Sequence, residues 1–538
     1  MFLDKCQPTL VLHHGFSLAR LFIREFRLAL FRGRSEICKT LVFCLLTGFN
    51  SKIAGIRQNS AATLYFLMRC NYEKQRNFGR SQLQIMGAIF RLISEKKVNE
   101  KIIHLSLEGL KQLASNEREQ SSTFGYQKSS FSADVKQLIC RIRNVLNSTQ
   151  QMKLYEDDPE MFVELQHIMA QSYCDSPEHR KTWLEEIGKK HEKEGNLIEA
   201  AMCHIHIGGL LAELLYRANK QYPAGCRGFN RISGNIERDE AALKDDEELQ
   251  YTPLDLADHL QSAADLCGRA EMYELVPLVL SKSISIFEQS KQRERLRDLY
   301  RAQAAAMDSV IESRRRFFGK FYRVAFYGKE WEDYDQRRFI YKEPKITQLN
   351  EVRARLETLY SNRFGADKFE IITDSKPIEE MNLELDKHVY LQLTSVEPYF
   401  NNDQEVLRDD FERAHQVNQF FYETPFTKEG PARTDDVTRQ WMTSNIITTV
   451  ASFPYCKKRI EIEKQEAHQI APAKIAINSL QNKNKELHDV INRNPVDIKQ
   501  LQLRLQGSVM VTVNSGSLTY AHAFLGNQGI VLVLRKRT

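Results

Sequence analysis

The sequence has no apolar run long enough to cross a membrane. The longest one, Thr40–Phe49, spans about half of the ~20 residues that a membrane helix needs, and we interpret it as a buried helix. The first residues, Met1–Pro8, carry charge and proline where a secretion signal needs an apolar segment. Together these features predict a cytoplasmic protein.

The sequence also lacks any Cys-x-x-Cys pair. Its ten cysteines are scattered singly from Cys6 to Cys456. Disulfide frameworks and zinc sites use closely spaced cysteines, so this pattern predicts reduced thiols that pack in the interior. His204 and His206 lie beside Cys203, but residues two apart on a helix point about 200° apart. We therefore do not expect these two histidines to share a metal ion.

Neither sign of charge is in marked excess. The 76 basic and 70 acidic residues give a net charge of +6, too balanced to identify a nucleic-acid-binding protein. Basic clusters do occur at Arg314–Arg316, Lys457–Arg459 and Arg535–Arg537, and aromatic residues in Phe317–Tyr322 follow the first cluster. Nucleic-acid binding stays open as an alternative. A helix end followed by a strand buried on both faces is the preferred interpretation.

Motifs for covalent catalysis and for cofactor binding are missing. The sequence contains no His-Glu-x-x-His, no Gly-x-Ser-x-Gly and no Walker loop. Its Gly-Lys pairs, Gly188-Lys189, Gly319-Lys320 and Gly328-Lys329, lack the following Ser or Thr and the upstream glycine of a phosphate-binding loop. The sequence therefore predicts no cofactor, no metal site and no enzyme that makes or breaks covalent bonds.

Length and composition predict several folded domains. The 538 residues are 42% hydrophobic and 27% charged, which suits three or four domains of ~150 residues. Residues 17–150 carry apolar side chains at helical spacing, as at Ile85, Ile89 and Ile93, and the polar stretch Ser115–Asp134 is predicted to be a loop. Start and stop signals then predict antiparallel helix pairs over residues 159–216 and an exposed excursion over Tyr222–Pro253.

Near Arg314 the pattern changes from helical to alternating. An antiparallel sheet is predicted from six strand-like segments. They are Phe318–Gly328, Phe369–Thr373, Val389–Val396, Gln419–Tyr422, Ile446–Ala451 and Arg459–Glu463. A helix with an apolar stripe is predicted from Pro472, and a second helix runs toward Val511. The stripe consists of Ile477, Leu480, Leu487 and Ile491.

Several short motifs occur in an order that resembles the DOCKER catalytic region of the DOCK family. They are Asp158–Met161, Lys181–Leu184, Glu199–Cys203, Phe318–Gly328, Tyr341–Pro344, Val396–Phe400, Thr424–Phe426, Ile447–Thr449 and Phe453–Tyr455, followed by Gln506–Phe524. The resemblance covers roughly Asp157 to Leu525, and more weakly residues 17–150. Two details, Tyr222–Cys226 and Val396–Tyr399, look most similar to the Zir-type subfamily, with the zizimin-type next.

The resemblance, with the patterns above, predicts a mainly α protein with an α+β part. We expect an armadillo-like helical segment at 1–150, a helical dimerisation lobe at 151–313, an antiparallel β-sheet lobe at 314–468 and an incomplete helical-bundle lobe at 469–525. The last two would grip a GTPase. Residues 526–538 resemble nothing in the family, which continues there into a further long helix. The family's upstream membrane-binding module has no counterpart in this sequence.

The resemblance implies guanine-nucleotide exchange on a Rho-family small GTPase, Rac-like or related, in signalling to the actin cytoskeleton. Val513 matches the family's nucleotide-sensor valine, and Asn514 and Gly516 match the turn that holds it. Without the resemblance, Val513 is more simply a helix-end residue that packs on a neighbour.

Ile470, Ala471 and Pro472 match a segment that faces the GTPase. Proline at the first position of a helix is an equally good reason for that segment. The alternative function is a non-catalytic dimerising scaffold that retains these lobes but has an incomplete GTPase cleft.

Overall fold

The fold is described from a computed structural model. It describes residues 7–31, 35–75, 79–95, 97–123, 131–173, 176–219, 222–223, 225–240, 251–313, 316–344, 346–378, 381, 383–400, 408–428, 434, 436–492, 498–509 and 519–525. The chain divides into two compact units. The helical unit comprises Met1–Arg316 and Pro454–Lys458, and the sheet unit comprises Phe317–Phe453 and Arg459–Thr538.

Helices make up the regular structure described in the helical unit. They are α1 (Thr9–Glu25), α2 (Arg27–Phe31), α3 (Ser35–Phe49), α4 (Ala54–Gln75), α5 (Gly79–Ser94), α6 (Glu100–Thr123), α7 (Phe131–Leu154), α8 (Pro159–Ser172), α9 (Pro177–Lys193), α10 (Leu197–Asn219), α11 (Asn235–Glu240), α12 (Pro253–Arg269), α13 (Leu275–Leu280), α14 (Ile284–Gln289) and α15 (Arg293–Glu312), with a 3-10 turn at Phe229–Arg231.

Helices α1 to α7 bury one continuous apolar core. Ile85 and Ile89 are fully buried in it, as their spacing predicts, and Thr40–Phe49 lies inside α3. The predicted loop Ser115–Asp134 is wrong at both ends, because α6 continues to Thr123 and α7 already begins at Phe131. Phe131 is fully buried and stacks edge-on against Tyr65, which anchors the start of α7.

The helix starts predicted from proline are confirmed. Helix α8 begins at Pro159, and the Asp158 side chain caps it by accepting a hydrogen bond from the Met161 amide over 2.9 Å. Helix α9 likewise begins with a proline, Pro177, but the Ser176 side chain before it makes no capping hydrogen bond. Helix α10 is long and apolar enough to cross a membrane, but 78% of its most apolar window is buried inside the protein, as is typical of a core helix.

The sheet unit contains seven described strands. They are β1 (Lys320–Tyr327), β2 (Arg338–Glu343), β3 (Phe369–Ile372), β4 (Val389–Pro398), β5 (Val417–Phe426), β6 (Trp441–Phe453) and β7 (Arg459–Ile470). Their order is β1-β2-β7-β6-β5-β4-β3, and β1 also pairs with β4. Six of them therefore close into an antiparallel barrel, while β3 adds to β4 in parallel.

Two elements of the sheet unit are absent from the sequence prediction. Strand β2 was missed because charged residues such as Lys342 and Glu343 end it, although both are buried. Helix α16 (Leu349–Phe364) carries a recognisable signal, since Val352, Leu356 and Tyr360 recur at four-residue spacing and are all buried. The prediction of a purely antiparallel sheet is corrected by the parallel β3–β4 pair.

Two further helices follow β7, namely α17 (Pro472–Ile491) and α18 (Ile498–Val509), and residues 519–525 are also helical. The predicted class, mainly α with an α+β part, is confirmed. The unit boundary after Arg316 lies close to the predicted start of the sheet lobe at 314. The other predicted domain bounds stay predictions.

Candidate functional site

The junction of strand β7 and helix α17 carries the three predicted partner-binding residues. Ile470 ends β7 and pairs with Met442 of β6. Ala471 is the extended residue that caps α17, and Pro472 occupies the first helical turn, where its fixed backbone angle suits a helix start. Pro472 is buried, whereas Ile470 and Ala471 are half-exposed. Pro472 therefore has a packing role, and the other two residues are accessible.

Helices α17 and α18 pack on each other and present aliphatic side chains to solvent. The predicted buried stripe on α17 is only partly correct, because Leu480 and Leu487 are half-buried while Ile477 and Ile491 are exposed. On α18, Ile498 is 73% exposed and Leu503 is 70% exposed. We refer to Ile477, Ile491, Ile498, Leu503 and Leu505 as the aliphatic surface of the helix pair.

A charged contact also joins the two helices. Glu486 of α17 accepts hydrogen bonds from Arg504 of α18 over 2.7 Å and from Lys483 over 3.2 Å. Burial alone would raise the pKa of Glu486, but these two cations lower it overall. A partly exposed ion pair therefore links the two helices where they pack on each other.

The predicted sensor segment cannot be placed. Val513, Asn514 and Gly516 lie outside the described residues, between the end of α18 at Val509 and the helical residues 519–525. The sensor role of Val513 therefore stays a prediction.

The basic clusters are engaged within the protein wherever the structure describes them. Lys457 donates to Glu164 over 2.8 Å, and both side chains are buried. Arg316 forms a bidentate ion pair with Glu274. Arg459 is buried. These pairings weaken the case for nucleic-acid binding at the described part of the clusters. Arg314, Arg315 and Arg535–Arg537 lie outside the described residues.

The helical unit buries an ionic cluster that the sequence did not predict. Arg180 of α9 donates through Nε and Nη2 to both carboxylate oxygens of Glu240, each over 2.7 Å. Both residues are almost fully buried. His206 of α10 approaches the same carboxylate, with 3.0 Å between its Nδ1 and the Glu240 Oε1. One carboxylate therefore balances two cationic side chains in the interior.

A second carboxylate and a tyrosine complete this cluster. The Tyr455 hydroxyl donates to Asp239 over 2.6 Å, so the 3.0 Å contact with His167 requires the ring Nε2–H to donate to the hydroxyl oxygen. Burial lowers the pKa of His167 well below 6.5, which keeps its ring neutral. Tyr455 belongs to Pro454–Lys458, a segment of the helical unit that is flanked in sequence by strands of the sheet unit.

His206 differs from His167 in its charge. Burial alone would lower the pKa of His206, but its contacts with Cys456 and with the Glu240 carboxylate raise it above the usual 6.5. Burial also raises the pKa of Cys456 well above 9, so this thiol is neutral near pH 7 and Glu240 is the charge that retains the proton on His206. The cluster is structural in geometry, since its carboxylates, Arg180 and Tyr455 pair with one another in the interior, although the His206 Nε2 has no hydrogen-bond partner among the described residues.

The described histidines and cysteines do not assemble into a metal centre. His206 contacts Glu240, whereas His204 contacts His259 over 3.1 Å, so the two histidines diverge as helical geometry requires. No group of three metal-binding side chains occurs among the described residues. The eight described cysteines are free thiols.

Three family models match the chain in order. The model described as DHR-2, Lobe A matches residues 164–312, DHR-2, Lobe B matches 375–452 and DHR-2, Lobe C matches 486–536. Mouse dedicator of cytokinesis protein 9 is 38% identical over 97% of this chain and 26% of its own length. The zebrafish dedicator of cytokinesis protein 11 is 37% identical over 96% of this chain and 25% of its own length. Human dedicator of cytokinesis protein 7 is 35% identical over the same shares.

The chain belongs to the DOCK family. It contains the DOCK catalytic region called DOCKER or DHR-2, as the motif order predicted. It spans about a quarter of the length of the DOCK relatives that it matches. Identities of 34% to 38% across several DOCK proteins do not separate the subfamilies, so the Zir-type assignment stays a prediction.

The three lobe matches fall on parts of the fold that were described separately above. Lobe A corresponds to helices of the helical unit, lobe B to β4, β5 and most of β6, and lobe C to the end of α17 and to α18. The lobe C match includes the positions of Val513, Asn514 and Gly516. It also runs to residue 536, past Leu525, where the sequence analysis placed the end of the DOCK resemblance.

Proposed function

We propose that this chain is a guanine-nucleotide exchange factor for a Rho-family small GTPase, Rac-like or related, and that it acts in the cytoplasm. The observation that supports this proposal is the ordered match to all three DHR-2 lobes, of which lobe C includes Val513. The reaction changes no covalent bond in the nucleotide.

The proposed mechanism uses Val513 as a nucleotide sensor. A small GTPase holds GDP through its phosphate-binding loop and a Mg²⁺ ion. An isopropyl group inserted there offers no lone pair to the ion, displaces its ligands and leaves phosphate charge poorly compensated. Valine suits this task because branching at Cβ restricts its rotation. Each ~1.4 kcal/mol lost from the bound state accelerates release about tenfold.

The proposed GTPase-binding surface combines the β7–α17 junction with the aliphatic surface of the helix pair. Ile470 and Ala471 are accessible at the junction, and Ile498 and Leu503 are largely exposed. Accessible aliphatic side chains grouped on one element are typical of protein interaction sites. Lobe C of DHR-2 covers α18, which carries the two most exposed of these residues.

The decisive experiment measures release of fluorescent GDP from a panel of Rho-family GTPases. We expect the wild-type chain to accelerate release from at least one GTPase, and Val513→Ala to lose most of this acceleration while still binding the GTPase. Val450→Ala, at an exposed valine of β6, is the matched control and should behave like wild type. If neither the wild type nor the control accelerates release from any GTPase, the exchange proposal is wrong.

The surface is tested separately from the sensor. Leu503→Asp should weaken GTPase binding at least tenfold, because it places a charge in the apolar contact. Leu105→Asp is the control, since Leu105 is 61% exposed on α6 in the helical unit. Equal binding by both variants would exclude α18 from the interface.

We also propose that the helical unit forms a homodimer. Helix α15 exposes Tyr300, Ala304, Met307 and Ile311 at helical spacing, which forms one apolar stripe along the helix. Ile311 is 79% exposed. Light scattering should show a dimer for the wild type and for Leu105→Asp, and a monomer for Ile311→Asp. A dimer that lacks exchange activity would favour the non-catalytic scaffold.

A further inference from the structure

The barrel of the sheet unit contains a cavity of about 480 Å³. Three neighbouring strands contribute alternate residues to it, which therefore point to one face of the sheet. These residues are Tyr422, Thr424 and Phe426 of β5, Thr443 and Asn445 of β6, and Gln465, Ala467 and Gln469 of β7. Small barrels normally fill this space with side chains, so a cavity large enough for a small ligand is unusual here and indicates a binding site.

The cavity is cationic. Its eighteen lining residues include Arg323, Arg338 and Lys376 but no aspartate, glutamate or histidine. Lys376 is balanced by Asp374, with 3.2 Å between the charged atoms. Within the part of the chain that the structure describes, neither Arg323 nor Arg338 forms an ion pair. Two guanidinium groups therefore share the cavity without a protein carboxylate.

Arg323 is the more deeply placed of the two, with only 4% of its surface exposed. Its Nη1 donates to the Gln392 Oε1 over 2.7 Å, and its Nε has no hydrogen-bond partner among the described residues. The orientation of Gln392 is fixed, because its Nε2 donates to the backbone carbonyls of Asp374 and Lys376. The Arg323 guanidinium also lies over the Tyr422 ring, with 5.6 Å between Cζ and the ring centroid. A buried guanidinium whose partners are a neutral amide and an aromatic ring, without a carboxylate, is costly unless an anion joins it.

A hydrogen-bonded network fixes which polar atoms remain available in the cavity. Arg338 can only donate, so its 3.2 Å contact with Gln465 must be to the amide oxygen. The Gln465 Nε2 then donates to the Tyr422 hydroxyl and to the Asn445 Oδ1, each over 3.1 Å. Tyr422 and Asn445 both accept from Gln465, and the Tyr422 O–H and the Asn445 Nδ2–H groups then have no acceptor among the described residues.

Arg323, Arg338, Tyr422 and Asn445 therefore each present an N–H or O–H donor to the cavity. We propose that this cavity binds a small organic oxyanion that presents a phosphate or carboxylate group to the two arginines. Apolar lining residues such as Ile378 and Phe426 suit the organic part of such a ligand. This proposal does not depend on exchange activity, because none of its observations involves a GTPase.

The experiment titrates the full chain with simple probes by isothermal calorimetry and by thermal unfolding, at constant ionic strength. The probes are inorganic phosphate, phenyl phosphate, benzoate and, as a neutral analogue, phenol. We expect saturable one-to-one binding of phenyl phosphate or of benzoate, and no binding of phenol. Stronger binding of one of these two anions identifies the acid group as phosphate or carboxylate. Failure of all three anions to bind overturns the proposal.

Variants connect binding to the cavity. Arg323→Gln and Arg338→Gln should each weaken the binding of the better anion at least tenfold, since each removes a charge-assisted hydrogen bond. Tyr422→Phe keeps the shape of the cavity and should weaken binding about threefold to tenfold. Arg337→Gln is the matched control, because Arg337 is next in sequence but pairs with Glu461 and does not line the cavity. Equal affinity in all four variants would overturn the proposal.

Discussion

Arg180 and Arg323 are both buried arginines, but their partners differ. Arg180 in the helical unit forms a bidentate ion pair with Glu240, and it also donates to the Ala170 carbonyl. Arg323 in the barrel donates to the neutral amide of Gln392 and has an Nε without a partner among the described residues. The first arginine is balanced by the protein itself, whereas the second retains capacity for a partner from outside.

This difference shows how one residue type can have a structural or a binding role. A buried charge whose counter-charge is covalently part of the chain stabilises one packing arrangement. A buried charge that faces a cavity and lacks a counter-charge is available to a ligand. Four predictions test this contrast, from the largest expected effect to the smallest.

Arg180→Met should lower the free energy of unfolding by about 3–5 kcal/mol, because it leaves the Glu240 carboxylate buried beside His206 alone. Urea denaturation measures the change. The control is Lys189→Gln, whose ion pair with Glu186 is exposed and should contribute about 0–1 kcal/mol. A loss of less than about 1 kcal/mol for Arg180→Met would show that the cluster is not a stabilising pair.

His167 should make stability fall as the pH drops below 6.5. Its pKa is lowered in the folded protein. Below pH 6.5 the histidine is therefore protonated in the unfolded chain but stays neutral in the folded protein. The contribution amounts to at most about 1.4 kcal/mol per pH unit. His167→Gln should reduce the slope of unfolding free energy against pH by up to this amount, and His468→Gln, at an exposed residue of β7, should not. Identical slopes in both variants would contradict the assignment.

Arg323→Met should lower the free energy of unfolding by only about 1 kcal/mol in chloride buffer, because it removes one hydrogen bond and one cation–π contact and leaves no buried carboxylate behind. Urea denaturation in parallel with Arg180→Met provides the comparison. A loss as large as that of Arg180→Met would mean that Arg323 is also a structural charge.

Asn445→Asp places a carboxylate in the cavity. It would give the cavity arginines a counter-charge from the protein itself, as Glu240 does for Arg180 in the helical unit. We expect the free energy of unfolding to rise by about 0.5 kcal/mol at low salt and neutral pH. Phenyl phosphate should bind more weakly, because the new carboxylate repels it. Asn418→Asp, at an exposed position of β5, is the control. Unchanged anion affinity in Asn445→Asp would place the anion elsewhere.

Much of the fold was predictable from local patterns. Proline at helix starts, as at Pro159 and Pro472, and apolar spacing, as at Ile85 and Ile89, depend on near neighbours in sequence and were interpreted correctly. Barrel closure was not predictable, since the pairing of β1 with β4 joins residues about seventy positions apart and has no local signal.

The candidate sites also differ in whether a local sequence signal predicts them. The helix start at Pro472 was predicted because family motifs and a helix-start signal coincide there, and the partner-binding role of Ile470–Pro472 stays a prediction. The Arg180–Glu240 pair and the Arg323 cavity were missed, because each combines residues from separate elements that single-sequence patterns cannot bring together. Strand β2 was missed for a related reason, since its charged residue Glu343 is paired by Arg355 of helix α16, a separate element.

The placement of Pro454–Lys458 in the helical unit has a consequence for synthesis on the ribosome. The helical unit receives Tyr455 and Lys457, the partners of Asp239 and Glu164, only after strands β1 to β6 have been translated. A nascent chain that ends at Arg316 therefore lacks the Tyr455 hydroxyl that donates to Asp239 and the Lys457 ammonium that pairs with Glu164. Most of the helical unit is translated first, but its contacts with Pro454–Lys458 form only after most of the chain has left the ribosome.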